Sequence, residues 1–250
     1  MDFIKRSILL QLVVPIVFLL ILSFAFIGFY IPSVIQENAI AQATNSSLQS
    51  IESFKQVRKY YTDNVIKKVI QSGGITPVID HKHQENTIPL PATMIHDLSK
   101  QLLNQGMKLK LYSKFPFPNR QGTVLDSFQQ KSWDVLNQNS GTPNIQTEMQ
   151  NNRQIVRVAI ADTMTEQTCV DCHNSHPDTP KSGWKKGDVR GVLEVRQNIQ
   201  SSLMTSNELT RNILFGVAMA GLGLLLVVWI ITRTITRPIT EICESMDTLA

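Results

Sequence analysis

Two cysteines and a histidine form the run Cys169-Val170-Asp171-Cys172-His173, the most specific chemical signal in the chain. Two thiols three residues apart lie on the same side of a helical turn, where each can add to one vinyl group of a haem. The next residue then offers an imidazole to the iron. The run therefore predicts one covalent c-type haem, attached through Cys169 and Cys172, with His173 as the proximal iron ligand.

Two other kinds of site use the same residue types. Cys169, Cys172, His173 and His176 are donors that suit zinc. A histidine directly after the second cysteine is, however, poorly placed to join both thiolates around one small ion. A redox-active dithiol is the other alternative, but no thioredoxin-like βαβ pattern surrounds the motif. Haem is thus preferred, and His176, with Pro177 after it, is expected to shape the haem loop.

The sixth ligand of the iron is less constrained by the sequence. Imidazole and thioether are the usual strong ligands, and the candidates outside the motif are His81, His83, His96, Met94, Met107 and Met149. His81 and His83 are expected to be solvated in a loop, and Met149 is expected to fill the core. Met94 and His96 rank first. They share a short predicted helix, Met94 on its apolar face and His96 on its polar face, and the sequence does not separate them.

Three basic residues can pair with haem propionates, because charge-assisted hydrogen bonds suit carboxylates. They are Arg58, Arg120 and Lys185. Taken one at a time, each is more simply interpreted as an exposed surface cation. Nothing in the chain resembles a hydrolytic triad, a phosphate-binding glycine loop or paired catalytic carboxylates, so no enzymatic activity is predicted for this chain.

Two long apolar segments bracket the haem motif. Residues 8–31 are apolar apart from Gln11, Pro15 and Ser23, and residues 213–231 contain no charge. About 20 apolar residues suffice to span a bilayer. The first segment is too long for the apolar part of a cleaved signal peptide, and no clear cleavage pattern follows it. Both segments are predicted to be transmembrane helices.

The charges that flank the two segments predict their orientation. Lys5 and Arg6 precede the first span, and Arg233 and Arg237 follow the second. Both termini are then cytoplasmic under the positive-inside rule, which predicts a two-pass protein of a bacterial inner membrane. The predicted parts are a cytoplasmic tip with the first span (1–31), a periplasmic sensor domain (32–211), the second span (212–232) and a juxtamembrane segment (233–250).

Charge and cysteine counts agree with this arrangement. The chain has 24 Lys and Arg against 20 Asp and Glu, and a formal net charge of +4 is too small to indicate a nucleic-acid partner. Two of the three cysteines belong to the haem motif. The third, Cys243, is predicted to be cytoplasmic, where a lone thiol stays reduced. The exported domain therefore has no cysteine pair to spare for a disulfide.

The sequence of the predicted periplasmic domain indicates helices followed by strands. An apolar stripe predicts one long helix that ends at Gly73 and Gly74; its members are Leu48, Ile51, Phe54, Val57, Tyr61, Val65 and Val69. A loop over 81–91 and a helix over 93–104 are predicted next, followed by a strand over 108–112 and a helix over 124–136. Two strands, over 145–149 and 155–160, are predicted to be joined by a turn at Asn151 and Asn152. A last strand is predicted over 189–195. This order predicts an α+β domain with a PAS-like antiparallel sheet and a long N-terminal helix, flanked by two transmembrane helices.

Beyond the second span, Ile239, Ile242, Met246 and Leu249 are spaced as a heptad seam. An amphipathic juxtamembrane helix is the simpler alternative. The Arg237-Pro238 start resembles the first helix of a HAMP linker, a coiled coil formed by receptor dimers, and the chain is expected to contain the start of one. Small residues in the second span, Gly216 and Ala220, are candidates for a close helix contact.

Several segments together resemble the PAS-like, c-type-haem periplasmic sensor domains that precede HAMP linkers in bacterial histidine kinases, chemoreceptors and nucleotide cyclases. The likeness covers about residues 33–200. The matching segments are 60–65 (YYTDNV), 89–93 (PLPAT), 112–118 (YSKFPFP), 169–177 (CVDCHNSHP) and 184–191 (WKKGDVRG).

This resemblance implies a haem-based sensor of redox state or of a diatomic gas, bound through Cys169, Cys172 and His173 and working as a membrane homodimer. A cytoplasmic output module is expected on a later part of the protein or on a partner. Some relatives use a cysteine as the second axial ligand, which cannot carry over to a domain without a spare cysteine. The alternative is a membrane-anchored c-type cytochrome for electron transfer, which would need only one anchor.

Overall fold

The computed structural model describes residues 8–102 and 106–236 of the 250-residue chain. The flanking charges Lys5, Arg6 and Arg237, the predicted HAMP seam over 239–249 and Cys243 lie outside the described residues. Within them, the chain divides into two units: residues 8–38 with 201–236, and residues 39–200.

The first unit is helical. Its elements are α1 (Ile8–Ala25), a π-helical turn (Phe26–Tyr30), the start of α2 (Ile31–Tyr61), α7 (Gln200–Ile231) and a second π-helical turn (Thr232–Thr236). Two helical stretches, Val13–Ser72 and Gln200–Thr234, are long and apolar enough to cross a membrane. A Cβ atom on Gly221 would lie 2.7 Å from the Leu20 side chain, so a larger residue there would require Leu20 to move. Gly216 was also a candidate for a close helix contact, but a Cβ atom added there would have no atom of another element within 4 Å.

The predicted long helix is present, although its buried side differs from the predicted stripe. Helical turns continue from α2 through a π-helical turn (Thr62–Ile66) into α3 (Lys67–Ser72), which ends at Gly73 with φ of +70°. Ile51 is fully buried, whereas Val57 is 49% exposed and its neighbour Arg58 is buried in its place. The apolar stripe is interrupted because Arg58 has an acidic partner inside the domain.

A short parallel strand pair lies where a loop was predicted. β1 (Thr76–Val78), just before the predicted loop over 81–91, pairs with β2 (Thr87–Pro89), which lies inside it. Helix α4 (Pro91–Leu102) begins at a proline, two residues earlier than predicted, because proline is favoured in the first helical position. Strand β3 (Met107–Tyr112) then follows as predicted.

The main sheet has four antiparallel strands in the order β3-β6-β5-β4. The others are β4 (Asn144–Gln150), β5 (Arg153–Thr163) and β6 (Val189–Asn198). Asn151 and Asn152 join β4 to β5 with φ of +50° and +60°, which are the angles of the two-residue hairpin turn that asparagine tolerates. The predicted hairpin and the mixed α+β class are confirmed.

Helix α5 (Ser127–Gln138) packs on one face of this sheet, where Trp133 and Leu136 meet Ala159 and Val192. It begins three residues later than predicted because Asp126 caps it. The Asp126 carboxylate accepts a hydrogen bond from the backbone N–H of Gln129 (2.9 Å), and the Gln129 side chain accepts one from the backbone N–H of Asp126 (3.3 Å). The last helix of the domain, α6 (Gln167–Ser175), lies between β5 and β6 in the chain.

Candidate functional site

Helix α6 carries all three residues of the predicted attachment motif, so the helical turn expected for them is confirmed. Both thiols are free. Cys172 is exposed, whereas Cys169 is half-buried and packs against a small apolar cluster of Met164, Val170 and Trp184. One thiol is therefore held by the domain while the other opens to solvent.

The imidazole of His173 is half-buried among aromatic rings. Its centroid lies 5.6 Å from that of Phe117 and 6.4 Å from that of Trp184, both edge to face. Burial, followed by the positive charge of Arg190, lowers the pKa of His173 to about 4. His173 is thus neutral at physiological pH and keeps a nitrogen lone pair for a metal.

The loop after α6 is held by the side chains of Asn174 and Thr179, just after the motif. The Asn174 amide donates a hydrogen bond to the carbonyl of Trp184 (3.0 Å) and accepts one from its backbone N–H (2.9 Å). The Thr179 hydroxyl donates to the carbonyl of His173 (2.6 Å). The two Asn174 bonds hold Trp184, which is 4% exposed, next to the motif.

The fourth residue of the zinc alternative, His176, has a different role. Its Nδ1 accepts a hydrogen bond from the backbone N–H of Asp178 (3.1 Å), and its ring packs on Phe117 at 5.2 Å. Within the described residues, no three His, Cys, Asp or Glu side chains gather as a metal-binding group. This geometry supports the expected role of His176 in shaping the loop and gives the zinc alternative no support.

A buried charge cluster lies beside the motif. The Asp162 carboxylate accepts hydrogen bonds from Arg58 (Nη1, 3.0 Å) and from Arg190 (Nε, 2.9 Å). Burial opposes the charge of Asp162, but the two guanidinium groups outweigh it and hold its pKa well below the usual range. Burial likewise opposes the charge of Arg190, yet Asp162 and, to a smaller extent, Cys169 raise the pKa of that arginine.

The long helix contacts α6 through a second ion pair. Lys59 Nζ lies 2.5 Å from Glu166 Oε1, and Glu166 is the residue that directly precedes α6. Arg58 and Lys59, adjacent on α2, therefore bind the two acidic residues just before the motif, Asp162 and Glu166. The position of α6 is therefore tied to that of α2 by charge.

The two leading candidates for the sixth ligand have unequal surroundings. Met94 and His96 are both half-buried on α4, and Ile95 between them is 1% exposed. The Nε2 atom of His96 is buried and has no hydrogen-bond partner among the described residues. Burial, followed by the charge of Arg120, lowers the pKa of His96 to about 4. The expectation that His96 faces the polar side was wrong, because α4 is enclosed on more than one face.

The four weaker candidates for the sixth ligand also differ in their exposure to solvent. The His83 side chain is 78% exposed, as expected. His81 is not solvated: its side chain is 18% exposed and its Nε2 lies 3.5 Å from Asp97. Met149 was expected in the core but is 64% exposed, because it lies on the edge strand β4. Met107 is half-buried at the start of β3.

The three residues predicted to pair with haem propionates also differ in burial and in their partners. Arg58 is buried and already paired with Asp162. Lys185 is exposed. Arg120 is half-buried, and its side chain forms no ion pair or hydrogen bond with any residue of 8–102 and 106–236.

Sequence reasoning did not single out Phe117, Asp162 or Arg190. Phe117 and Arg190 belong to segments that match related domains, but their type alone indicates no role. Asp162 offers the clearer signal, since a carboxylate stands in the otherwise apolar run Ile160-Ala161-Asp162 of a central strand. A charge in such a place calls for a buried partner.

Comparison with known proteins adds a family assignment. No curated protein and no solved structure matches the chain significantly. The model of the Tll0287-like family matches residues 36–198, which include the sheet, the motif helix and most of the long helix from Ile31 to Ser72. This match spans well over half of the chain. The protein therefore belongs to the Tll0287-like family, a periplasmic sensor-type family.

Proposed function

We propose that the protein is a transmembrane signal receptor whose PAS-like periplasmic domain carries one covalent c-type haem and senses redox state or a diatomic gas. The haem is attached through Cys169 and Cys172, and His173 binds the iron. The observation that carries this proposal is the motif helix itself: two free thiols and a neutral imidazole follow one another on α6. The family assignment supports a sensor-type domain.

The surroundings of the motif suit a large, flat, mostly apolar group. Cys169 packs on an apolar cluster, and the rings of Phe117 and Trp184 flank the imidazole. Phe115 is 38% exposed and packs edge to face on Trp184 at 5.8 Å. This exposed aromatic ring, in contact with Trp184, leaves apolar surface for such a group to cover.

A bound haem would supply an iron whose oxidation state and sixth ligand can change. The side chains of this domain would position the iron ligand and respond to that change. Phe117 and Trp184 fix the plane of the His173 ring, and Asn174 fixes Trp184. Of the two candidates for the sixth position, His96 is favoured over Met94 because its buried Nε2 lacks a partner.

The receptor part of the proposal rests on the link between α6 and α2. Arg58 and Lys59 bind the residues that precede α6, and helical turns run from them back along the chain to the apolar segment of α1. A displacement of α6 would therefore act on a helix that leads towards the membrane. In this proposal both termini are cytoplasmic, a HAMP linker follows the second span and the receptor is a homodimer.

The alternative is a membrane-anchored c-type cytochrome that transfers electrons and signals nothing. A single anchor would serve such a carrier, whereas two apolar helices suited to cross a membrane are present. A chain that keeps both spans and the juxtamembrane segment but lacks residues 39–200 should still dimerise if the receptor proposal is right. A monomeric remainder would favour the electron carrier.

The haem itself is tested by producing the full chain together with c-haem maturation machinery. Haem that stays on the polypeptide in a denaturing gel, with a c-type visible spectrum, is expected. Cys169→Ser and Cys172→Ser should each weaken this retention, whereas Cys243→Ser, outside the motif, should retain haem as the parent does. A parent chain without covalent haem would overturn the proposal.

A further inference from the structure

Arg120 is the exception among the buried or half-buried arginines of the described residues. Arg58, Arg157, Arg190 and Arg196 each form ion pairs with at least one carboxylate. The Arg120 side chain has neither an ion pair nor a hydrogen bond with the described residues, although burial lowers its pKa. A half-buried charge without a counterion is unfavourable, so an anion is expected beside it.

The position of Arg120 indicates which anion this is. Arg120 ends the 3₁₀ turn Pro118–Arg120, and its backbone N–H donates a hydrogen bond to the carbonyl of Phe117 (2.8 Å). The ring of Phe117 packs against both His173 and His176. Arg120 therefore lies one tight turn along the chain from Phe117, whose ring contacts the proposed iron ligand, and its charge also acts on His96.

We propose that Arg120 binds a propionate carboxylate of the haem attached at Cys169 and Cys172. This inference rests on the proposed function, because the carboxylate belongs to the haem. Arg58 is excluded as the partner since Asp162 already occupies its guanidinium group. Lys185 is a weaker partner since it is exposed and stays solvated without an anion.

The guanidinium of Arg120 would favour the ionised form of that propionate through charge-assisted hydrogen bonds. Removing the positive charge leaves a carboxylate whose pKa rises, so its titration moves closer to neutral pH. An uncompensated carboxylate beside the iron also favours the ferric form. In Arg120→Gln, the redox equilibrium should therefore shift roughly tenfold towards ferric haem and depend more strongly on pH.

The experiment uses the full chain in detergent, matured with haem, and follows the visible spectrum during redox titration between pH 5 and pH 9. The parent is compared with Arg120→Gln, with Arg120→Lys, which keeps the charge, and with Lys185→Gln as a matched loss of an exposed charge. The expected result is a displaced, more pH-dependent potential in Arg120→Gln, a partial return in Arg120→Lys and the parent curve in Lys185→Gln.

A potential and pH profile in Arg120→Gln equal to those of the parent would overturn the inference. So would an equal change in Lys185→Gln, because it would reflect net charge and not a specific partner. Failure of the proposed function gives a different result, since the parent itself would then carry no covalent haem to titrate.

Discussion

Asp162 is the residue on which the packing behind the motif depends most. It is 2% exposed and binds both Arg58 and Arg190. Removing one partner of a buried ion pair is strongly destabilising because the remaining charges are left without a counterion. At this site two guanidinium groups would lose their only acidic partner among the described residues, next to Cys169 and His173.

Asp162→Asn is therefore expected to lower the free energy of unfolding by about 3–5 kcal/mol. The matched control is Asp134→Asn, which removes an exposed carboxylate paired with Lys114 at 2.5 Å. Exposed ion pairs contribute less than about 1 kcal/mol. Thermal unfolding of the full chain in detergent, followed by circular dichroism, measures both changes, and equal losses in the two variants would contradict the role of Asp162.

The same carboxylate predicts a dependence of stability on pH. Because folding lowers the pKa of Asp162, its contribution is fully present above the unfolded pKa, about 4, and is lost as pH falls through the folded pKa. The stability difference between the parent and Asp162→Asn should be constant from pH 5 to pH 8 and should shrink below about pH 4. Unfolding midpoints across this range test the sign, and a difference that grows in acid would contradict it.

His96 and Met94 make opposite predictions for the haem-loaded chain. If His96 is the sixth ligand, His96→Ala opens the iron, and the reduced protein binds carbon monoxide faster than the parent by an order of magnitude or more. Met94→Leu, a volume-conserving change two residues away, should bind it like the parent. Visible spectra after mixing with carbon monoxide measure both rates, and the reverse result would assign the ligand to Met94.

At the scale of elements, the hairpin between β4 and β5 shows how local chemistry determines structure. Asn152 has φ of +60°, a conformation that is costly for a β-branched residue. Asn152→Val should destabilise the domain by roughly 1–2 kcal/mol, while Asn152→Gly should be neutral or slightly stabilising. Chemical denaturation of the two variants tests this contrast, which disappears if the turn has a different conformation in solution.

The elements that the sequence predicted correctly are those with a local cause. The hairpin follows from Asn151 and Asn152, and the end of the long helix follows from Gly73, whose φ of +70° suits glycine. In each case the residues that determine the element lie within a few positions of one another.

The features that the sequence did not predict depend on distant partners. Arg58 is buried because Asp162, 104 residues away, binds it, and this contact displaces Val57 from the expected stripe. The β1–β2 pair joins two three-residue segments that each contain a proline and are too short to show alternation. His96 was assigned to a polar face because neighbours along a helix do not reveal what covers it.

At the scale of the whole molecule, the motif and the first apolar segment lie on connected elements. Arg58 and Lys59 contact the chain just before α6, and the same run of helical turns includes the apolar residues of α1. A receptor requires such a connection, whereas an electron carrier does not. The connection is useful for signalling only if the two apolar helices cross a membrane and residues 39–200 lie outside the cytoplasm.

This topology predicts where a reporter enzyme that is active only after export will work. Inserted at Ser140, in the exposed turn between α5 and β4, the enzyme should be active; fused after Ala250, it should be inactive. The positive-inside rule supplies the reason, since Arg233 and Arg237 favour the cytoplasmic side for the end of the second span. A reporter that is active at both positions would show that the second helix does not return the chain to the cytoplasm, and the receptor proposal would then lose its route to an output module.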